Sequence, residues 1–238
     1  MAVFAHPEGE TFGPAGMLAR YASEGVRVSM ITVTRQTFPS INLSRNHEGA
    51  GPVEPAREKS CSCLTHGTQR ICLFDYPGTQ QIPLDDRELM EERLIRLIRE
   101  QRPQVIVTYS PDETGDPDHA LISRVTAAAF YSAGDASVHP QHIADSLAAF
   151  QPLKLYYTVH PPVDAGRKPN PVRTAVLDVS DYSNTMERTL YCQRTHAVDF
   201  AQGQDSGGHD WNKEYFTLAA CNLSRRPRRE TDLFAGLR

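Results

Sequence analysis

The chain has 238 residues, with 25 Lys+Arg, 29 Asp+Glu and a formal net charge of −4. That length suits an α/β domain with a sizeable core, expected as a single domain over residues 1–238. The near-balanced charge excludes a general pull toward nucleic acid or an anionic membrane, and no apolar stretch approaches the ~20 residues of a membrane helix.

In chain order, the first expected element is a short strand, Ala2 to Ala5, ending at His6. PAGMLARYASEG then reads as a helix with Pro14 in its first turn and Gly25 closing it. Val26 to Thr34 is a strand rich in β-branched residues. Strand, helix and strand in so short a span make a βαβ unit, which implies parallel pairing. A long polar segment, Arg35 to Pro55, has no clear period. A helix from about Pro55 to Leu64 and a strand around Gln69 to Phe74 follow. DDRELMEERLIRLIREQRP is an amphipathic helix, with Leu89, Leu94, Leu97 and Ile98 on the apolar side. QVIVTYS (Gln104 to Ser110) is a buried strand, and DHALISRVTAAAFYSAG is a helix that starts beside the acidic loop PDETGDPD. KLYYTVH and TAVLDVS are strands. YSNTMERTLYCQRTHAV is a late helix, with Asp181 or Ser180 as its cap. A Gly-rich stretch leads into WNKEYFTLAA. The alternation of strands and helices gives the expected class: a three-layer α/β/α sandwich on a Rossmann-like, mostly parallel sheet.

The cysteines are Cys61, Cys63, Cys72, Cys192 and Cys221. They are odd in number, with neither zinc-knuckle nor CxxC spacing, so reduced thiols in a cytoplasmic protein are expected. The opening MAVFAHPEGE lacks the basic region and cleavage site of a signal peptide. SRRPRRE near the C-terminus could touch phosphate on a nucleic acid or an anionic ligand; with no aromatic platform beside it, the favoured reading is a solvated tail.

Ligands of open parallel sheets bind beyond the carboxyl ends of the strands. Two charged clusters fall at such ends. His6, Glu8 and Glu10 follow the first strand; Asp112, Glu113, Asp116, Asp118 and His119 follow VIVTY. Two imidazoles and a carboxylate suit a zinc-like cation. The same residues also fit solvated turns and a helix cap. The GxGxxG phosphate loop and the GxSxG nucleophile elbow are both missing.

The stretches AHPEGETFGPAGMLARYASEGVRVSMITVTR, LFDYPG, VIVTYSPDETGDPDHALISR and YCQRTHAVDF carry a resemblance to the LmbE/PIG-L family of zinc-dependent de-N-acetylases. In that family the first signature usually reads AHPDDE and the second ends in HPDH. The resemblance implies a hydrolase that removes an acyl group from an N-acylated amino sugar or related amide, cleaving a linear C–N amide bond. It implies a small-molecule substrate of glycoconjugate type; the charge balance and hydropathy add the expectation of no nucleic acid and no membrane partner, and a homo-oligomer is left open. It makes His6 and His119 zinc ligands, Glu8 the general base and Asp118 a buttress. Asp116 stands in place of a histidine that stabilises charge, and Gly9 in place of the carboxylate zinc ligand. Glu8 is expected to swing in as the missing ligand of a Zn2+ site, with Asp116 or Glu10 then accepting the proton. The alternative is a non-catalytic member whose metal site is degraded, acting as a binding or structural protein. His160 and His196 are expected near the rim of the pocket.

Overall fold

The computed structural model describes residues 1–11, 13–34, 61–77, 81–111, 116–159, 174–192, 211–224 and 229–237. The expected positions Asp112, Glu113, His160 and His196, most of SRRPRRE and the whole Arg35 to Pro55 segment lie outside these residues. Seven strands form one sheet in the order β3-β2-β1-β4-β5-β7-β6. They are β1 (Ala2–Phe4), β2 (Ser29–Thr34), β3 (Arg70–Tyr76), β4 (Val105–Tyr109), β5 (Lys154–Val159), β6 (Ala175–Asp178) and β7 (Lys213–Cys221). β2 pairs with β3, β1 with β4 and β4 with β5 in parallel, and β7 pairs antiparallel to β5. This is the expected mostly parallel α/β sheet with flanking helices, the Rossmann-like three-layer class. β1, β2 and β4 are buried at every residue, which is why they read as continuous apolar runs rather than alternating ones.

The chain divides into two compact units. The first holds Met1–Val3, Pro83–Leu177 and Tyr215–Arg238. Here Ala2 is in register with Val107, and Val105 to Tyr109 with Lys154 to Thr158. Helix α2 (Arg87–Gln101) packs on α3 (Pro117–Ser132), and α3 packs on β4. The buried side of α2 is Met90, Leu94, Ile95 and Ile98. Leu89, expected on that side, is 50% exposed: the 3.6-residue period carries the stripe through Met90 and Ile95. A short helix α4 (Pro140–Ala144) follows. Lys154, fully buried, donates to Glu230 and to the carbonyls of Leu233 and Ala235, and Tyr156 Oη donates to the same Glu230. This polar knot ties the last residues to β5.

The second unit holds Phe4–Ile82 and Asp178–Glu214. Helix α1 (Ala15–Ser23) packs on α5 (Ser183–Cys192). The expected cap residues Ser180 and Asp181 lie instead in a 3-10 turn, Ser180–Tyr182. That turn is held by Asp178, whose Oδ1 accepts from the Ser180 backbone and hydroxyl at 3.0 and 2.6 Å. The expectation that all thiols are reduced is corrected for two of the five. Cys61 and Cys192 form a disulfide, with Cα atoms 5.6 Å apart across a sequence separation of 131. Cys63, Cys72 and Cys221 form none. Local spacing cannot reveal the bridge, because it joins a helical turn at residues 61–65 to the end of α5. Among the described residues, no helix is long and apolar enough to cross a membrane.

Candidate functional site

In the second unit β1 runs out at Phe4, and the next carbonyl, Ala5 O, accepts the Thr34 backbone N–H at 2.8 Å and the Thr34 hydroxyl at 3.1 Å. With its proton committed there, Thr34 Oγ1 accepts from His6 Nδ1–H at 2.9 Å. This assignment, drawn from the hydrogen-bond network, places the His6 proton on Nδ1 and leaves the lone pair on Nε2. Metal-binding histidines characteristically carry such an outer partner. Thr34 is not among the residues expected from sequence; its only signal is that it ends the buried strand SMITVT.

HPEGET then folds as consecutive turns, with Gly9 N–H to His6 O at 3.1 Å and Thr11 N–H to Glu8 O at 2.9 Å. Glu8 and Gly9 stay partly exposed while Glu10 is fully buried. The Glu10 carboxylate accepts from Ser62 at 2.7 Å and Thr11 at 3.2 Å, both at Oε1. These contacts hold the Glu10 carboxylate against the loop and the helical turn at 61–65. A β-carbon on Gly13 would meet the Gly9 carbonyl oxygen at 2.7 Å, so the turn closes only because position 13 has no side chain.

The N-terminus of α1 is satisfied from afar. Glu214 accepts the N–H groups of Gly16 and Met17 at 2.7 and 2.8 Å. Burial pushes its carboxyl up to about 8, while the two backbone donors pull the other way. A β-carbon on Gly16 would meet Val179 and the Glu214 carboxylate at 2.7–2.9 Å. Glu214 carries no signal in the sequence, since nothing local marks a carboxylate so far along the chain as a cap.

In the first unit the second cluster sits where α3 begins, after β4. Asp116 is the N-cap: its Oδ1 accepts from the N–H groups of Asp118 at 2.8 Å and His119 at 3.3 Å, with Pro117 in the first turn. This is the pairing expected of Asp before Pro at a helix start. The other oxygen, Oδ2, lies 4.0 Å from His119 Nε2. The His119 ring stacks on Tyr109, centroids 3.9 Å apart and planes 9° from parallel. Ser123 Oγ donates to Tyr109 O at 2.7 Å, locking the helix to the strand end. Asp118 is buried in the first turn. The sequence singles out His119, Asp116 and Asp118 but not Tyr109, which reads as one more core residue of VIVTY. Asp116 Oδ2 and His119 Nε2 are separated by no more than two metal–ligand bonds of ~2.0–2.2 Å can span.

The model of the PIG-L family, GlcNAc-PI de-N-acetylase, matches residues 1–130, which is more than half of the chain. The chain belongs to the PIG-L family. Among curated members it is 30% identical to the 1D-myo-inositol 2-acetamido-2-deoxy-alpha-D-glucopyranoside deacetylase of Thermobifida fusca, with 98% of this chain and 97% of the relative aligned. It is 33% identical to the mycothiol S-conjugate amidase of Streptomyces coelicolor over 66% of this chain, a match that spans 59% of that amidase. The PIG-L fold is also that of the N,N'-diacetylchitobiose deacetylase of Pyrococcus horikoshii, with a TM-score of 0.68, 14% identity and coverage of 91% and 82%. It is equally that of GalB, the 4-carboxy-2-hydroxymuconate hydratase of Pseudomonas putida KT2440, with a TM-score of 0.70, 14% identity and coverage of 94% and 97%. A PIG-L fold thus hosts more than one reaction, and the activity of this member must be argued from its own residues.

Proposed function

We propose that the chain is a metal-dependent hydrolase that removes the acyl group from an N-acylated amino-sugar conjugate, with Zn2+ held by His6, His119 and Asp116. The observation that carries this reading is the pairing of Asp116 with His119. One carboxylate oxygen is spent on the helix cap, and the other stands within one ion's span of the imidazole. Asp116 then supplies the carboxylate that Gly9 lacks, and Glu8 keeps the base position rather than swinging in as a ligand. The resemblance of AHPEGE to the family's first signature supports bringing in His6. Two imidazoles and a carboxylate make a set chemically suited to zinc.

When bound, the metal supplies Lewis-acid chemistry, polarising the acyl carbonyl and acidifying the attacking water. The rest falls to the chain. Thr34 and Tyr109 hold the two imidazoles in fixed directions. Glu8, partly exposed on its turn, takes the proton of the attacking water and returns it to the departing amine. Asp118 braces the first turn of α3. An Asp116 that ligates a cation no longer confronts the developing oxyanion with an uncompensated charge, so a carboxylate at this position is compatible with amide hydrolysis. The compound in the relatives' names, 1D-myo-inositol 2-acetamido-2-deoxy-α-D-glucopyranoside, is the first to try.

The test is metal content after purification and dialysis against zinc. Retention that is lost in His6→Ala and in His119→Ala supports the reading; a His119→Ala protein with undiminished metal at this site sinks it. A second reading, a non-catalytic member, rests on Gly9. It predicts that the wild type releases no acetate even when loaded with metal.

A further inference from the structure

A second group of potential metal ligands lies wholly within the second unit and is separate from the residues just described. Glu10, Cys63 and His66 are all buried, and each offers a ligand atom within 4.8 Å of the others. We propose that these three side chains form a structural site for a thiophilic divalent cation, zinc in the first instance, that fastens the HPEGET loop to the helical turn at 61–65.

The local sequence builds the site. Cys63 and His66 are three residues apart, so a helical turn sets them on one face. The turn is closed by Gly67 at φ +77°. Thr68 N–H reaches back to Cys63 O at 2.9 Å and Gly67 N–H to Leu64 O at 3.3 Å, which is a Schellman closure. That closure carries the Thr68 hydroxyl to 3.0 Å from His66 Nδ1. When the Thr68 oxygen accepts from Nδ1–H, Nε2 is left as the ligand atom, with Thr68 as its outer-sphere partner. On the opposite side, Ser62 and Thr11 both hold Oε1 of Glu10, so the carboxylate is oriented as well as buried.

The donor set selects the ion. A thiolate with an imidazole and a carboxylate suits zinc or cobalt, whereas calcium and magnesium take oxygen ligands. All three donors are buried away from solvent, so a metal there would hold the loop in place rather than meet substrate. Binding converts the Cys63 thiol to thiolate and releases its proton, so uptake becomes tighter as pH rises. The consequence for the protein is positional. Glu10 lies four residues after His6, and a metal on Glu10 would stiffen the turn that carries His6 and Glu8.

Cobalt substitution of the full chain tests this and separates it from the proposed catalytic site, which contains no sulfur. Metal-stripped protein titrated with Co2+ should develop a near-ultraviolet thiolate-to-cobalt charge-transfer band. The band should be lost in Cys63→Ser, weakened and shifted in His66→Gln, and undiminished in His119→Ala and Cys72→Ser. Persistence in His119→Ala keeps this inference standing even if the catalytic reading fails. Failure of the wild type to show the band, or its survival in Cys63→Ser, overturns the proposal. Should Cys63→Ser not fold, His66→Gln decides alone: an unaltered band there refutes the site.

Discussion

Asp116 meets His119 twice: Oδ1 accepts the His119 backbone N–H at 3.3 Å, while Oδ2 lies 4.0 Å from the same residue's Nε2. A single side chain thus starts helix α3 and stands beside its first imidazole. The two tasks respond differently to substitution. Asn keeps the cap oxygen and loses the charge; Ala loses both. Asp116→Asn should keep its melting temperature and bind zinc at least tenfold more weakly. Asp116→Ala should in addition lose about 1 kcal/mol of stability with its cap. Thermal melts beside zinc titrations check both. Unchanged zinc affinity in Asp116→Asn would show that the carboxylate is a cap and nothing more.

Thr34 is expected to act on metal through His6. Thr34→Val removes the hydroxyl that holds His6 Nδ1 but leaves the backbone bond from residue 34 to Ala5 O. Loss of such outer partners typically weakens metal affinity about 10–100-fold. Titration with zinc should show a fall in that range and Thr34→Ser should restore it. Equal affinities in all three proteins would mean that the Thr34 contact does not orient a ligand.

Gly9 offers a gain-of-function test. Gly9→Asp restores a carboxylate where the family places its ligand, so zinc should bind more tightly to the variant than to the wild type. In the Asp116→Asn background the gain should be larger, because in the single variant the two carboxylates compete for one role. Calorimetric titration of the wild type, both single variants and the double variant measures the coupling. Strict additivity would argue that Asp116 and the carboxylate introduced at position 9 do not serve the same ion.

Glu214 makes a prediction about pH. Its carboxyl is raised by burial from 4.5 to about 8, so between these values the folded chain holds a proton that the unfolded chain has lost. Stability contributed by this group is full below the unfolded value and falls as pH rises toward the folded one, with a limiting slope of about 1.4 kcal/mol per pH unit. Denaturant melts from about pH 5 to about pH 8 should show this decline, and Glu214→Gln should flatten it. A wild-type profile that Glu214→Gln leaves unaltered would refute the assignment.

Much of this architecture is legible because burial writes itself into composition. VIVTY and SMITVT are apolar runs that only a doubly covered parallel strand requires, and Asp–Pro–Asp–His announces a capped helix start. What escapes is set by distance. β7 alternates buried and half-buried residues from Phe216 to Cys221, but it begins beside a Gly-rich stretch and its antiparallel pairing with β5 has no local signature. The Cys61–Cys192 bridge, the reach of Glu214 to α1 and the Thr34 hydroxyl behind His6 each join residues far apart in sequence. Tyr109 is hidden in another way: a strand-end tyrosine looks like core until the ring that stacks on it is placed.

The most direct measurement is acetate release from 1D-myo-inositol 2-acetamido-2-deoxy-α-D-glucopyranoside by metal-stripped chain titrated with zinc. Turnover should rise with zinc to saturation and disappear in His119→Ala. It should fall about 10²–10⁴-fold in Glu8→Gln without loss of bound metal. A chain that binds zinc through these residues yet releases no acetate from this compound or other N-acetylated amino sugars would contradict the deacetylase assignment.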